Sequence, residues 1–281
     1  MEGGLAAPPA AEQLSAVLTT RWLGRSYEWW PACASTNDLA GERARGGAPA
    51  GLVIAADQQT AGRGRLGRTW HSPPGANLYV SILLRPSRPP PEIPPLTLLA
   101  GGALASSLAV LGFAPRLKWP NDVELVDDQT TPLGRDSEAG RRRKVAGILT
   151  EMSSAGDRAL HVVLGVGLNV NGVDFPPEIA ERATSLRRAA GGRPLDRAAV
   201  LGTFLNHLEP LLDEYERRGP SVAIAAFEAH AALPAPCRVT APGRPNERLE
   251  GVALGVDPDG ALRLRDETGH IHRVLSGEIQ T

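Results

Sequence analysis

Lysine is almost missing from this chain: of its 30 basic residues, all but Lys118 and Lys144 are arginine. In so biased a sequence, a lysine either falls by chance or marks a place where a compact ammonium is needed and a guanidinium fork would not fit. Cysteine is as rare. Cys33 and Cys237 lie far apart and make neither a disulfide framework nor a zinc knuckle. There is no excess of charge, since the net value of −1 removes any case for a globally basic nucleic-acid binder. No apolar run approaches the roughly 18–20 residues needed to cross a bilayer. Residues 1–11 lack the basic and apolar regions of an export signal. These absences lead to the expectation of a soluble cytoplasmic protein without membrane association. With 281 residues, 42% of them hydrophobic, the chain can bury a full core in one or two domains.

What is present is concentrated in residues 56–70. An apolar run at 52–56 reads as a strand. Gly62, Arg63, Gly64, Arg65, Gly67 and Arg68 then follow closely, and the stretch ends on Trp70. Glycine lets a backbone adopt positive φ and approach a ligand, while arginine presents a planar fork matched to phosphate or carboxylate. The combination is a flexible basic clamp for a small anion. A solvated Gly/Arg hairpin is the alternative for this loop taken alone. Gly62, Gly64 and Gly67 also satisfy G-x-G-x-x-G, but a dinucleotide site needs those glycines to open a helix. Trp70-His71-Ser72-Pro73-Pro74-Gly75 cannot start one cleanly.

Along the rest of the chain, residues 1–10 read as disordered and 11–20 as a short helix. A strand at 27–33 precedes Ser35-Thr36-Asn37-Asp38, an N-cap cluster before a helix at 39–45. Those hydroxyl and amide groups either cap that helix or hold the polar end of a ligand at its N-terminus. Strands are expected at 76–84, 144–152 and 160–170, and a long core helix at 96–111. Lys118, Asn121 and Asp122 gather at a proline turn, which suits either a nucleotide-borne magnesium ion or a turn held by its own Asn and Asp side chains. Gly165 and Gly167 inside a strand imply close approach of another group. Residues 127–143 read as an exposed insertion, and helices are expected at 176–190, 197–218 and 221–231. From Cys237 onward, short alternating runs with Asp-Gly and Thr-Gly turns indicate a small all-β module that leans on a neighbour for stability.

Four motifs in order carry a resemblance: Ser35-Thr36-Asn37; Gln59 with the Gly62–Trp70 stretch; Lys118-Trp119-Pro120-Asn121-Asp122; and Lys144-Val145-Ala146-Gly147-Ile148-Leu149. Residues 164–169 add a fifth. Over residues 25–281 the chain resembles biotin protein ligases, also called biotin–[acetyl-CoA carboxylase] ligases. The resemblance implies an α+β fold, with a mixed β-sheet catalytic domain flanked by helices, similar to class II aminoacyl-tRNA synthetases, and a small C-terminal SH3-like β-barrel. It divides the chain into an N-terminal extension (1–24), a biotin- and ATP-binding domain (25–233, with the insertion at 127–143) and the barrel (234–281). It also implies that biotin attacks the α-phosphate of Mg-ATP to give biotinyl-5'-AMP. A lysine of a biotin carboxyl carrier domain then takes up the biotin. Carried over by motif, Ser35, Thr36, Asn37, Gln59, Arg63, Gly64, Arg65 and Lys144 would bind biotin. Arg63, Arg65, Arg68, Trp70, Lys118, Asn121 and Asn169 would bind the nucleotide, and Asp122 the Mg2+. Lys144 and Arg65 would be catalytic.

Elementary electrostatics supports these roles, because two anions react only where cations neutralise the charge building on the phosphorus oxygens. A mixed anhydride also needs a loop that excludes water, so the Gly/Arg loop is expected to be loose without ligand and ordered over the adenylate. Members of this family that repress transcription carry about 60 further N-terminal residues. Only some 24 precede the matched region here, so no DNA binding is expected. The chain is expected to be a monomer or homodimer. A lipoate ligase or octanoyltransferase is the nearest enzymatic alternative, and transfer of octanoyl would need a nucleophile such as Cys33. An RNA-binding regulator is disfavoured by the near-neutral charge and the 4% aromatic content.

Overall fold

The computed structural model describes residues 9–126, 142–241 and 244–280. Residues 127–141 of the insertion expected at 127–143, and most of the disordered start expected at 1–10, therefore lie outside the described residues; Arg142 and Arg143, placed in that insertion by the sequence, instead begin strand β6, paired with Val126 and Leu125.

A seven-stranded mixed sheet forms the larger unit. Its strands are β1 (Tyr27–Trp30), β2 (Val53–Ala56), β3 (Leu78–Leu84), β4 (Arg116–Lys118), β5 (Asp122–Val126), β6 (Arg142–Ala155) and β7 (Arg158–Leu168), in the spatial order β1-β2-β3-β7-β6-β5-β4. Only β1 and β2 are parallel, joined by α2 (Thr36–Arg45); every other neighbour is antiparallel. The remaining helices of this unit are α1 (Ala11–Val17), α3 (Leu96–Val110), the short turns α4 (Pro177–Ala180) and α5 (Leu186–Ala189), α6 (Arg197–Arg218) and α7 (Ser221–Glu228).

Side chains alternate across a strand, and here the two faces differ. Leu78, Val80 and Ile82 of β3, Ile148 of β6, and Val162, Leu164, Val166 and Leu168 of β7 enter the main core with α3 and α6. The opposite face, under α2, carries Leu83 and Val163 packed against Ala40 and Ala44. Further along this face the register sets Ser81 beside Gly165, and Gly165 beside Leu149; Gly167 pairs with both Tyr79 and Gly147. Small residues thus hollow out one side of an otherwise filled sheet.

The apolar stretch Pro90–Val110, of hydropathy 1.6, is long and apolar enough to cross a bilayer by length and composition, contrary to the expectation that no such run exists. It is a core helix. Leu99, Ala100, Ala103, Leu104 and Leu108 are fully buried, and Gly102 lets α3 meet α7, because a Cβ there would lie 2.5 Å from the Ala226 carbonyl oxygen.

The helix expected at 176–190 is the main correction. It breaks into α4 and α5, and the extended segment between them pairs with β6 instead: Lys144 N donates to Arg182 O at 2.8 Å and Thr184 N to Lys144 O at 2.9 Å. Ser185 then caps α5 by accepting from Arg188 N. Backbone groups that find a strand partner have no need of a continuous helix.

The C-terminal strands β8 (Ala235–Ala241), β9 (Arg244–Val256), β10 (Leu262–Arg265), β11 (Ile271–Val274) and β12 (Glu278–Gln280) form an antiparallel sheet in the order β11-β10-β9-β8-β12. Among the described residues no pairing joins β11 to β12, so a closed barrel is not formed by hydrogen bonds. Cys237, Val239, Val256, Leu264 and Ile279 belong to the same core cluster as the large sheet. Trp119 Nε1 also donates to Gly260 O at 2.9 Å. The small sheet leans on the large one, as its size requires.

Candidate active site

The hollowed face opens into a cavity of about 280 Å³. Its lining includes Ser35, Thr36, Asn37, Gln59, Arg63, Gly64, Arg65, Arg68, Trp70, Lys118, Asn121, Asp122, Lys144 and Asn169. Every candidate site residue named from the sequence is therefore brought to one place. Had Arg63 or Arg65 fallen on the far side of the molecule from Lys144, the expected chemistry would have had no location.

At one end the wall is polar. Ser35 occupies the N-cap position of α2 but makes no side-chain cap hydrogen bond, and the helix begins at Thr36 rather than at residue 39. The capping alternative for this cluster is thus not realised. Thr36 N donates to Gln59 Oε1 at 2.9 Å, Thr36 Oγ1 lies 3.1 Å from the same oxygen, and Ser81 Oγ lies 2.8 Å from Thr36 Oγ1 and 2.6 Å from Asn37 Oδ1. The glycines of β7 give this wall its room. A Cβ on Gly165 would come within 2.3 Å of Asn37 Oδ1, and one on Gly167 within 2.4 Å of the Trp70 ring. The close approach expected at these glycines is made by Asn37 and Trp70.

The Gly/Arg segment is a short hairpin. Trp70 N donates to Gly62 O at 2.9 Å and Gly64 N to Arg68 O at 2.7 Å, around a 3-10 turn at Arg65–Gly67. Its tip holds Leu66 at φ 58, a conformation that L residues adopt at a cost of about 1–2 kcal/mol. Arg63 leans outward to Asp38 and Glu151, and hydrogen bonding to Asp38 chiefly raises its pKa above the ordinary arginine value. Arg65 turns inward, with Nη1 3.4 Å from Asn121 Oδ1; burial lowers its pKa, partly offset by Asp122.

The two lysines stand on β4 and β6, either side of β5, with crossed partners on that strand. Lys144 Nζ is 2.6 Å from Asp122 Oδ1, and Lys118 Nζ is 3.5 Å from Glu124 Oε1. Lys144 also sits 5.3 Å from the centroid of the Trp70 ring, a cation–π distance. Its backbone is clamped between β5 and the 182–184 segment, so its side chain projects from a rigid base. Asn169 is buried, donates to Thr184 O at 3.0 Å and closes the same corner.

Six cationic side chains (Arg63, Arg65, Arg68, Lys118, Lys144 and Arg182) line the cavity against the two carboxylates of Asp122 and Glu124, although the whole chain has a net charge of −1. Such focusing favours a polyanion. Among the described residues no group of three or more His, Cys, Asp or Glu side chains could hold a metal by itself. Asp122, which pairs with Lys144, stands beside Asn121 in the cavity wall.

Sequence reasoning missed several members of the site. Asp38 and Glu151 hold Arg63. Ile179 and Arg182 come from the segment expected to be a helix and Phe175 from just before it, while Gly277 and Ile279 come from the C-terminal unit. Only Glu151 carried a usable signal, since it follows Gly147 and Leu149 at period 2 along β6. Cys33, considered as a nucleophile, is half-buried, is not among the lining residues, and has its thiol pushed up to about 11 by burial and by Asp38. It lies beyond β1 in an isolated bridge with Gln59, not in a strand.

The chain resembles known proteins over most of its length. Residues 30–169 match the model of the Biotin/lipoate A/B protein ligase family, and residues 237–280 that of the Biotin protein ligase C terminal domain. The chain is 35% identical over 266 residues to the bifunctional ligase/repressor BirA of Bacillus spizizenii, covering 94% of this chain and 76% of that protein. It is 34% identical over 251 residues to the biotin–[acetyl-CoA-carboxylase] ligase of Mycobacterium tuberculosis, covering 87% and 85% respectively. Among solved structures, the biotin protein ligase from Aquifex aeolicus in complex with biotin and ATP superposes with a TM-score of 0.71 at 28% identity, over 91% of this chain and 98% of that one.

Proposed function

The chain belongs to the biotin/lipoate A/B protein ligase family, and on that premise we propose that it activates biotin with ATP and transfers it to a lysine of a biotin carboxyl carrier domain. In the first step a biotin carboxylate oxygen bonds to the α-phosphorus of ATP, the bond to pyrophosphate breaks, and biotinyl-5'-AMP forms. In the second the neutral amine of the carrier lysine attacks the anhydride carbonyl and AMP leaves. The observation that carries this reading is the meeting of Arg65, Lys144 and the polar Thr36–Asn37–Gln59 wall in one cavity.

The polar wall would take the ring end of biotin, with Ser35, Arg63 and Gly64 beside it, and leave the carboxylate near Lys144 and Arg65. Lys144 would stabilise the developing charge on both reactants. A cation about 4 Å from a phosphate oxygen gains on the order of 4 kcal/mol at an effective dielectric near 20. Arg63, Arg68, Trp70, Lys118, Asn121 and Asn169 would seat the nucleotide. Asp122 would meet the magnesium ion, which supplies charge neutralisation at the phosphates. The hairpin at 62–70 would close over the adenylate and exclude water. We further infer that the C-terminal sheet curls as an SH3-like barrel, and that the reaction takes place in the cytoplasm, where ATP and carboxylases meet.

The decisive experiment is incubation with biotin, Mg-ATP and a biotin carboxyl carrier domain, followed by mass measurement of the carrier. A gain equal to one biotinyl group, dependent on ATP and absent with lipoate, is expected. An unmodified carrier, together with no biotin-dependent pyrophosphate exchange, refutes the reading.

A further inference from the structure

Glu151 belongs to none of the motifs above, yet two parts of the cavity wall meet at its carboxylate. Oε2 accepts from Asn37 Nδ2 at 2.6 Å, while Oε1 and Oε2 accept from Arg63 Nη2 at 3.1 and 3.0 Å. Arg63 uses its other terminal nitrogen on Asp38, at 2.7 and 2.8 Å.

A carboxylate can only accept hydrogen bonds. Glu151 therefore obliges Asn37 to turn its NH2 toward β6 and its Oδ1 toward Ser81, 2.6 Å away. Ser81 is fully buried and also touches Thr36 Oγ1. With its one proton given to Asn37, Ser81 can only accept from the Thr36 hydroxyl, which also lies 3.1 Å from Gln59 Oε1; Thr36 N–H donates to Gln59 Oε1, which leaves the Gln59 NH2 to donate, with Ser72 Oγ 3.2 Å away. Ser72 in turn donates to Trp70 O at 3.0 Å. Both ends of the Gly/Arg hairpin thus hang on one hydrogen-bonded chain, Arg63 at its start and Trp70 at its finish.

We infer that Glu151 is a positioning residue that sets the donor–acceptor polarity of Asn37 and, through Ser81, of the Thr36 hydroxyl, and ties this wall to Arg63, coupling biotin binding to the seating of the hairpin. This inference rests on the biotin-activating reading above. As a simple surface ion pair, with side chains 40% and 42% exposed, Arg63–Glu151 would contribute little. The effect runs through Asn37. Because coupling is reciprocal, biotin holds the hairpin by the same factor that the hairpin holds biotin.

Glu151→Gln keeps the volume but can present either an oxygen or an NH2, so Asn37 loses its enforced orientation. Biotin Kd by calorimetry, and biotin KM in pyrophosphate exchange, should rise about tenfold, while ATP KM and Tm stay as in the wild type. Trypsin should also cut the biotin-bound hairpin faster. Asp38→Asn removes the other carboxylate from Arg63 without touching Asn37, and should weaken biotin binding less than Glu151→Gln does; an equal loss overturns the path through Asn37. Wild-type protein that shows no biotin-dependent exchange sinks the functional reading itself. Wild-type exchange combined with unchanged biotin binding in Glu151→Gln overturns the role of Glu151 alone. If Glu151→Gln does not fold, Ser81→Ala removes the next link: weaker biotin binding with faster hairpin cleavage supports the coupling, and weaker binding with wild-type protection overturns it.

Discussion

Gly167→Ala tests the shape of the cavity most severely. The added methyl would stand 2.4, 2.5 and 2.9 Å from Cε2, Nε1 and Cζ2 of Trp70, whereas non-bonded carbons rest at about 3.5–4.0 Å. The indole must therefore retreat by roughly 1 Å or more. Its backbone is fixed by the Gly62–Trp70 hydrogen bond, so the ring itself must tilt, which disturbs its 5.3 Å contact with Lys144. Overpacking of this kind costs about 1–3 kcal/mol. Expressed in the transition state, that is about 5- to 150-fold in kcat/KM; expressed in the fold, it is a fall in Tm of several degrees. Biotin-dependent pyrophosphate exchange and a thermal melt read the two separately. Gly147→Ala supplies the scale, because its methyl would meet the same ring and Lys144 Cε at 3.1 Å. Its loss of activity should be the smaller. A fully active Gly167→Ala, or a Gly147→Ala more damaged than Gly167→Ala, would show that the indole does not lie against β7 as described.

Other substitutions address charge. Lys144→Ala should lower the rate of adenylate formation about 10²- to 10³-fold with little change in Tm, since the backbone at 144 is held by β5 and the 182–184 segment; a normal single-turnover rate would remove Lys144 from the chemistry. Arg65→Ala should shorten the retention of biotinyl-adenylate, measured by release on a desalting column, more than it lowers stability. Arg197 is 1% exposed and lies 2.7 Å from Asp57, so Arg197→Met strands a carboxylate and should cost about 3–5 kcal/mol in urea unfolding. Burial lowers His230 from its ordinary value of 6.5, and burial with Arg85 and Arg45 lowers His161. A base depressed in the folded state gives stability that is complete above about 6.5 and is lost as pH falls through the folded value. Tm should therefore drop on acidification below that point, and His230→Gln should flatten the drop; an equally steep profile in the variant would refute the assignment.

The site was legible in the sequence wherever its chemistry is contiguous. Gly62 to Trp70, Lys118 to Asp122 and Lys144 to Leu149 are each a run of consecutive residues, so a motif could be recognised there and the resemblance could carry its expected role. The glycines at 165 and 167 announced a close approach but not what approaches, because Asn37 and Trp70 reach them only through the sheet register. Residues 176–190 were misread because helix propensity is a local quantity and the competitor, the backbone of Lys144, lies more than thirty positions upstream. Asp38 was read as part of an N-cap cluster and Glu151 as one residue of a strand, for the pairing of both with Arg63 depends on where Arg63 points. The pairing order of the C-terminal strands was likewise invisible, since alternation predicts strands and says nothing about which edge remains open.

Gly277 and Ile279 stand in the wall of a chamber whose floor was laid down by residues 35–70. A ribosome has therefore displayed every signature motif long before the enclosure is complete. A polypeptide lacking those two residues would keep the polar groups of the larger sheet yet lose part of that wall, and on the biotin-activating reading its mixed anhydride would be more exposed to water.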